Sequence, residues 1–455
     1  MILKYQGSKA KGKKIMKKVL ILGAGLVSRP HVNYLLDQPD FFVTCASRTV
    51  SKAEKLVGDH PRGKAISLNV KDDEKLEKLV SENDLAVSLL PYTYHVKIAK
   101  LCMKYGKNMV TTSYVSDNMN ALDNEAKAAG VLLLNEIGVD PGIDHMSAMR
   151  VIHNVKNNGG RIVSFKSYCG GLPAPEANTN PWGYKFSWSP RGVVMAGKNS
   201  AKYIMDNKVI EIPGPELFAT NWKVDIPGFG ELEAYPNRNS VPYKEIYNIE
   251  DTETMFRGTL RYPGWCITMK KIVDLGILDD EKVYDIDNLS YGEFMKNFIT
   301  ASKYEDLKKD LAAKWDLDES SNPIYRMEWL GILSDEKIGI EKGTAMDVFC
   351  KILLDKLQYN QGERDLLILH HEFGAEYPDK KQNITSTMID YGIPNGDSSM
   401  SRTVGLPAAI AVKLILNGVI KETGVHIPVK PEFYEPILEK LKNQNITCKE
   451  RYKDI

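Results

Sequence analysis

No two of the six cysteines form a C-x-x-C pair: Cys45, Cys102, Cys169, Cys266, Cys350 and Cys448 are scattered along the chain. That excludes a zinc ribbon and a disulfide framework, and reduced thiols are expected. The eight histidines include one adjacent pair, His370 and His371, but no H-E-x-x-H, so no metal site is expected. No run approaches the roughly 20 uninterrupted apolar residues that cross a bilayer. Excess charge is missing too: 60 basic against 59 acidic residues leave a net +1. Nothing in that balance draws nucleic acid or a membrane surface, which leaves a small-molecule substrate. The first sixteen residues carry Lys4, Lys9, Lys11, Lys13 and Lys14 with neither an apolar core nor arginine. They read as a flexible basic extension rather than a signal peptide or presequence, with Met16 an alternative start, and the cytoplasm is the expected location.

What is present is a chain of 455 residues, 43% hydrophobic, long enough for two or three domains. Lys17 to Gly23 is a short apolar run ending in glycine, the pattern of a buried parallel strand. Phe41 to Ala46, Ala65 to Asn69, Leu85 to Leu90, Met109 to Thr112 and Val131 to Asn135 continue the series. Helical segments such as Tyr94 to Tyr105 and Met119 to Ala129 lie between them. This alternation predicts an α/β fold, a Rossmann-type doubly wound parallel sheet. After Asp140-Pro141-Gly142 the texture changes to strands and long loops rich in Gly, Pro, Tyr and Trp, the signature of a second α+β domain. The expected division is 17–142 plus about 392–455 for the nucleotide domain, 143–266 plus about 360–391 for a substrate and dimerisation domain, and 267–359 for an all-helical insertion. Asp365 to Glu376 and Gln382 to Asp390 read as a returning hairpin, and Ser401 to Leu416 as an apolar helix packing on the first domain.

Gly23-Ala24-Gly25-Leu26-Val27-Ser28 follows a strand and opens a helix, the context a dinucleotide-binding turn requires. Gly23 permits the tight turn, and Gly25 lets backbone N–H groups approach a pyrophosphate at the positive end of the helix. Ser28 stands where glycine or alanine is usual, which predicts slightly looser helix–strand packing. At the end of the second strand an acidic residue would select NAD by binding the ribose hydroxyls. Here stand Ser47, Arg48 and Thr49, a guanidinium between two hydroxyls, which suits the 2′-phosphate of NADP(H). Asn69 and Val70 end the third strand beside the adenine half, and Ser88, Leu89 and Leu90 end the fourth, where the nicotinamide half passes.

The runs SLLPYTYH (Ser88 to His95), VTTSYVS (Val110 to Ser116), NEIGVDPGIDHM (Asn135 to Met146) and SYCGGLPAPE (Ser167 to Glu176) resemble the saccharopine reductase family. So do GYKFSWSPRG (Gly183 to Gly192), YPNR (Tyr235 to Arg238), FRGTLRYPG (Phe256 to Gly264) and GERDLLILHH (Gly362 to His371). The resemblance spans nearly the whole chain from Lys17. It implies an NADP(H)-dependent oxidoreductase joining α-aminoadipate semialdehyde to L-glutamate to give saccharopine, in lysine biosynthesis, and a homodimer. It places substrate contacts on Thr112, Ser113, Tyr114, Asp140, Arg238 and the run Thr259-Leu260-Arg261. It also puts Val139, Asp140, Pro141 and, from the second domain, Ser189 against the nucleotide, consistent with a cleft between domains.

These residues also make chemical sense by themselves. A substrate with three carboxylates calls for guanidinium readers, and Arg238 and Arg261 sit in loops rather than on charged helices. Carbinolamine formation and breakdown need a general acid–base. Asp140, after the sixth strand, is the leading choice, and it could equally pair with a substrate amine; Tyr114, His145 and Cys169 stand in reserve. Three rival readings are a related dehydrogenase acting on another amino-aldehyde or polyamine-type imine, a non-catalytic NADPH-binding protein, and the same chemistry run toward lysine breakdown. Paired cations disfavour a polyamine, intact polar motifs disfavour the non-catalytic reading, and the Ser-Arg-Thr run favours synthesis.

Overall fold

Val19, Leu20, Ile21 and Leu22 are fully buried, so the first strand is covered on both faces, as a parallel sheet demands. The computed structural model describes residues 16–188, 190–300 and 306–455. The basic extension expected at 1–16 and the serine at 189 therefore fall outside the described residues, save Met16. The chain forms two units: one runs to Pro141 and resumes over Gly405–Pro428, and the other comprises Gly142–Val404 and Val429–Ile455.

The first unit alternates β1 (Lys17–Leu22), α1 (Ser28–Leu36), β2 (Phe41–Ser47), α2 (Val50–Val57), β3 (Gly63–Ser67) and α3 (Asp73–Glu82). It continues with β4 (Leu85–Ser88), α4 (His95–Lys104), β5 (Asn108–Thr111), the short α5 (Asp117–Asn120) and α6 (Asp123–Ala128), and β6 (Leu132–Leu134). A seventh strand, Gly424–His426, pairs with β6, and all pairings are parallel. The order is β3-β2-β1-β4-β5-β6 and then the late strand. The order reverses between β1 and β4, the switch point where open α/β sheets take their ligands. The single helix expected over Met119 to Ala129 is two, because Ala121 and Leu122 interrupt it.

In the second unit α7 (Ile143–Asn157) leads into β7 (Arg161–Pro173), the long centre of a mixed nine-stranded sheet. Around it lie β8 (Ala201–Met205), β9 (Lys208–Ile212), β10 (Trp222–Ile226), β11 (Gly230–Pro236) and β12 (Thr254–Arg261). Only β12 runs parallel to β7; the other pairings are antiparallel. To the helical insertion the structure adds a two-stranded ribbon, β13 (Val283–Asp285) with β14 (Lys342–Thr344), too short for alternation to reveal. Capping boxes at Ser290/Glu293 and Thr344/Asp347 start two of its helices. Its core is continuous with Trp182, Tyr184 and Tyr235 of the sheet region, so the insertion is not a separate body. The returning hairpin is β15 (Asp365–Glu376) with β16 (Lys381–Tyr391).

The C-terminal assignment needs correcting. Residues 392–404 and 429–455, expected in the nucleotide domain, belong to the second unit. The strand Lys449–Asp454 extends β16 as an edge strand, and the helix Pro431–Lys442 packs on α7. A charged hexapeptide, KERYKD, carries no apolar period, and edge strands need none. The helix Ser399–Leu416 is long and apolar enough to cross a membrane by length and composition, but 72% of that stretch is buried within the protein.

Candidate functional site

The turn after β1 is built for a close approach. Gly23 has φ +119°, and a Cβ there would lie 2.9 Å from the Leu89 carbonyl oxygen; a Cβ on Gly25 would meet nothing. Ser28 ties this turn together. Its buried hydroxyl accepts the Gly25 N–H at 3.0 Å and lies 3.4 Å from the Gly23 carbonyl oxygen, so it knits the loop from inside. The price is that the Gly25 N–H points inward rather than at a ligand.

Gly23, Ala24 and Gly25 border a cavity of about 480 Å³ that also takes in Ser47, Arg48, Thr49, Asn69, Val70, Leu89 and Leu90. Those ten of the expected cofactor residues converge there. Leu26 is 72% exposed, and neither it nor Val27, Ser88, Val139, Asp140 or Pro141 lines the cavity. Sequence reasoning missed Lys52 and Lys71, which do line it. Lys52 sits one helical turn after Arg48 and Lys71 two residues after Asn69, so a search for basic residues flanking the strand ends would have found both. With Arg48 they give the rim three cations and no acid, and the donor set fits a phosphorylated dinucleotide.

At the carboxyl edge of β4, β5 and β6 a polar cluster forms. The Tyr114 hydroxyl donates to Asp140 Oδ1 at 3.1 Å. Glu136, buried with φ +55°, accepts the Val115 N–H at 2.9 Å, and its own N–H bonds the Ser113 carbonyl. Glu136 thus holds the Ser113–Val115 segment, a role the sequence did not signal. The Ser88 hydroxyl is buried against His95 Nδ1 at 2.8 Å, and His95 Nε2 lies 2.8 Å from the Ser113 hydroxyl. Ser88 therefore offers its side chain to His95, not to the crevice.

In the second unit the period of β12 separates its residues. Leu260 is fully buried, and its carbonyl accepts from Arg261 Nη1 at 2.8 Å, so its side chain is turned away from any ligand. Thr259, half-buried, stands in register with Cys169 of β7 and Tyr235 of β11. Arg261 is 4% exposed; its guanidinium lies 5.0, 5.4 and 5.9 Å from the rings of Tyr184, Trp265 and Tyr235. Its buried Nε has no hydrogen-bond partner. Arg238 is exposed, with φ +55°, on a separate open cavity that also takes in Lys202. His145 is fully buried with Nδ1 2.6 Å from the Tyr247 hydroxyl, a packed histidine. Beside it Asp144 pairs with Arg257 at 2.8 Å.

Residues 19–134 match the model of the saccharopine dehydrogenase NADP binding domain, and residues 138–446 that of the saccharopine dehydrogenase C-terminal domain. The chain is 43% identical over 450 residues to the saccharopine dehydrogenase (NADP+, L-glutamate-forming) of Schizosaccharomyces pombe, covering 96% of this chain and all of that one. The bovine mitochondrial alpha-aminoadipic semialdehyde synthase is 39% identical over 94% of this chain, which spans 47% of that protein. The solved apo saccharopine dehydrogenase (L-Glu forming) of Saccharomyces cerevisiae superposes with a TM-score of 0.89 at 40% identity, covering 96% and 100% of the two chains. Full-length likeness in sequence and in fold, over both matched domains, makes this chain a member of the saccharopine dehydrogenase family.

Proposed function

We propose that the chain interconverts saccharopine with L-glutamate and α-aminoadipate semialdehyde in lysine biosynthesis, with NADP(H) as cofactor. The observation that carries this is the match of both family domains across nearly all of the described chain. When bound, NADPH supplies the hydride. In this reading Arg48, flanked by Ser47 and Thr49 and joined by Lys52 and Lys71, holds the 2′-phosphate, and the Gly23-Ala24-Gly25 turn lies along the pyrophosphate.

The aldehyde and the glutamate amine form a carbinolamine that loses water to give an imine. Asp140 moves protons in that exchange, and the Tyr114 hydroxyl bonded to it orients its carboxylate. Arg238 and Arg261 bind carboxylates, with Thr259 and the Leu260 backbone beside Arg261, and Thr112 and Ser113 complete the substrate contacts. The reading carries with it a homodimer working in the cytoplasm on small molecules, not on nucleic acid or membranes. A spectrophotometric assay of NADPH consumption with the semialdehyde and glutamate, repeated with NADH, tests it. Oxidation of NADPH is expected; no oxidation with either cofactor rejects the assignment.

A further inference from the structure

His95 is 4% exposed and touches three hydroxyls on the carboxyl edge of the parallel sheet. Nδ1 lies 2.8 Å from Ser88 Oγ; Nε2 lies 2.8 Å from Ser113 Oγ and 3.3 Å from Thr111 Oγ1. Burial draws its pKa down to about 4, so near neutral pH the ring carries one proton on one nitrogen. Which nitrogen follows from counting hydrogens. Thr111 has a single hydroxyl hydrogen and donates it to the Ser88 carbonyl at 2.9 Å. Toward Nε2 the Thr111 oxygen can only accept, so a bare Nε2 would face its lone pair at 3.3 Å, and the contact favours the proton on Nε2. Nδ1 is then bare and accepts from the Ser88 hydroxyl.

The chain of donors ends at Ser113. Its oxygen accepts from Nε2, and no acceptor among the described residues takes its own hydrogen. We infer that His95 is a positioning residue, held as the Nε2–H tautomer, that aims the Ser113 hydroxyl hydrogen toward a carboxylate or carbonyl oxygen of the substrate. The inference rests on the proposed reaction for the identity of that acceptor, and on the hydrogen-bond geometry alone for the tautomer. A serine that could turn either way would also bind a cationic amine by its lone pairs. With one of its two lone pairs held by Nε2–H, Ser113 turns its hydrogen outward and favours oxygen acceptors.

Nuclear magnetic resonance of the full chain labelled with ¹⁵N at histidine reads the tautomer directly. The His95 signals, identified by their loss in His95→Gln, should show a protonated Nε2 and a bare Nδ1 from pH 6 to 8. A protonated Nδ1, or a doubly protonated ring, overturns the inference. For the role, His95→Leu should raise the Michaelis constant of the amino-acid or aldehyde substrate about tenfold, roughly the loss of one hydrogen bond, with NADPH affinity unchanged. His95→Gln, whose amide N–H can take the place of Nε2–H, should recover most of that loss. In a Ser113→Ala background His95→Leu should add no further rise. Independent, additive effects would show that His95 does not act through Ser113. A chain with no saccharopine activity overturns the functional reading and the substrate half of this inference, and the tautomer is still read by resonance.

Discussion

Arg48 and Arg261, both proposed to bind anions, stand in opposite surroundings. Arg48 stands in water on the rim of the nucleotide crevice, with Lys52 and Lys71 as company. Arg261 is 4% exposed, with three aromatic rings within 6 Å and one N–H without a partner. An exposed cation must shed water to bind, and salt screens it, so its contribution is modest and several are needed. A buried cation lost its water when the chain folded, with the ring faces compensating in part. An arriving carboxylate then meets it in a low effective dielectric, where attraction is stronger. The first arrangement suits a ligand that comes and goes on diffuse charge, and the second suits discrimination.

The largest effect should come from Asp140, the proposed acid–base, rather than from either cation. Asp140→Asn keeps the shape and the Tyr114 contact but cannot take a proton. kcat should fall about 10²- to 10⁴-fold with NADPH binding unchanged, and a loss below tenfold would remove Asp140 as the acid–base. A second test reads stability. His31, fully buried on α1 with Nδ1 bonded to the Gly405 carbonyl at 3.1 Å, has its pKa drawn down by burial to about 4. The unfolded chain, at 6.5, takes up its proton first, so the folded state loses stability as pH falls from 6.5 to 4. The full gap corresponds to on the order of 3 kcal/mol. Urea unfolding between pH 7 and 4 should show that decline, reduced in His31→Leu; an equal decline in both would reject it.

The two cations themselves come next. Arg261→Met should lower kcat/KM about 100-fold, the loss of one strong charge-assisted interaction. It should leave the thermal midpoint within a few degrees, because a buried charge replaced by an apolar chain costs little. A large fall in the midpoint with kcat/KM intact would make Arg261 structural and end the comparison. Arg238→Ala, at an exposed site, should raise the Michaelis constant of the amino-acid substrate only about tenfold. Smallest of all, Arg48→Ala should weaken NADPH several-fold to tenfold and spare NADH, since Lys52 and Lys71 still face the phosphate. Equal loss with both cofactors would remove it as the phosphate reader.

The parallel sheet and its glycine turn were legible because their signals are local: an apolar run, Gly23, a helix start, Ser47-Arg48-Thr49 at a strand end. The hairpin β15–β16 was legible as two strand-like runs close together in sequence. The burial of Arg261 was not, because Tyr184, Tyr235 and Trp265 arrive from three separate segments and only packing brings them together. His95 and Glu136 escaped for the same reason, since each binds partners on other strand ends. The bonds of Ser28 within the turn were not foreseen because its hydroxyl was counted as bulk rather than as a donor and acceptor. The last edge strand was lost because its residues are almost all charged.

The strand Gly424–His426 completes the parallel sheet beside Leu132–Leu134, with the second unit's first long stretch threaded between them in sequence. On the ribosome, at about 5–20 residues per second, the intervening chain takes roughly 15 to 60 s to emerge. Through that interval one edge of the nascent sheet lacks its final neighbour, so the first unit is synthesised early and finished late. A pause or truncation before Gly424 leaves that flank bare to other nascent chains.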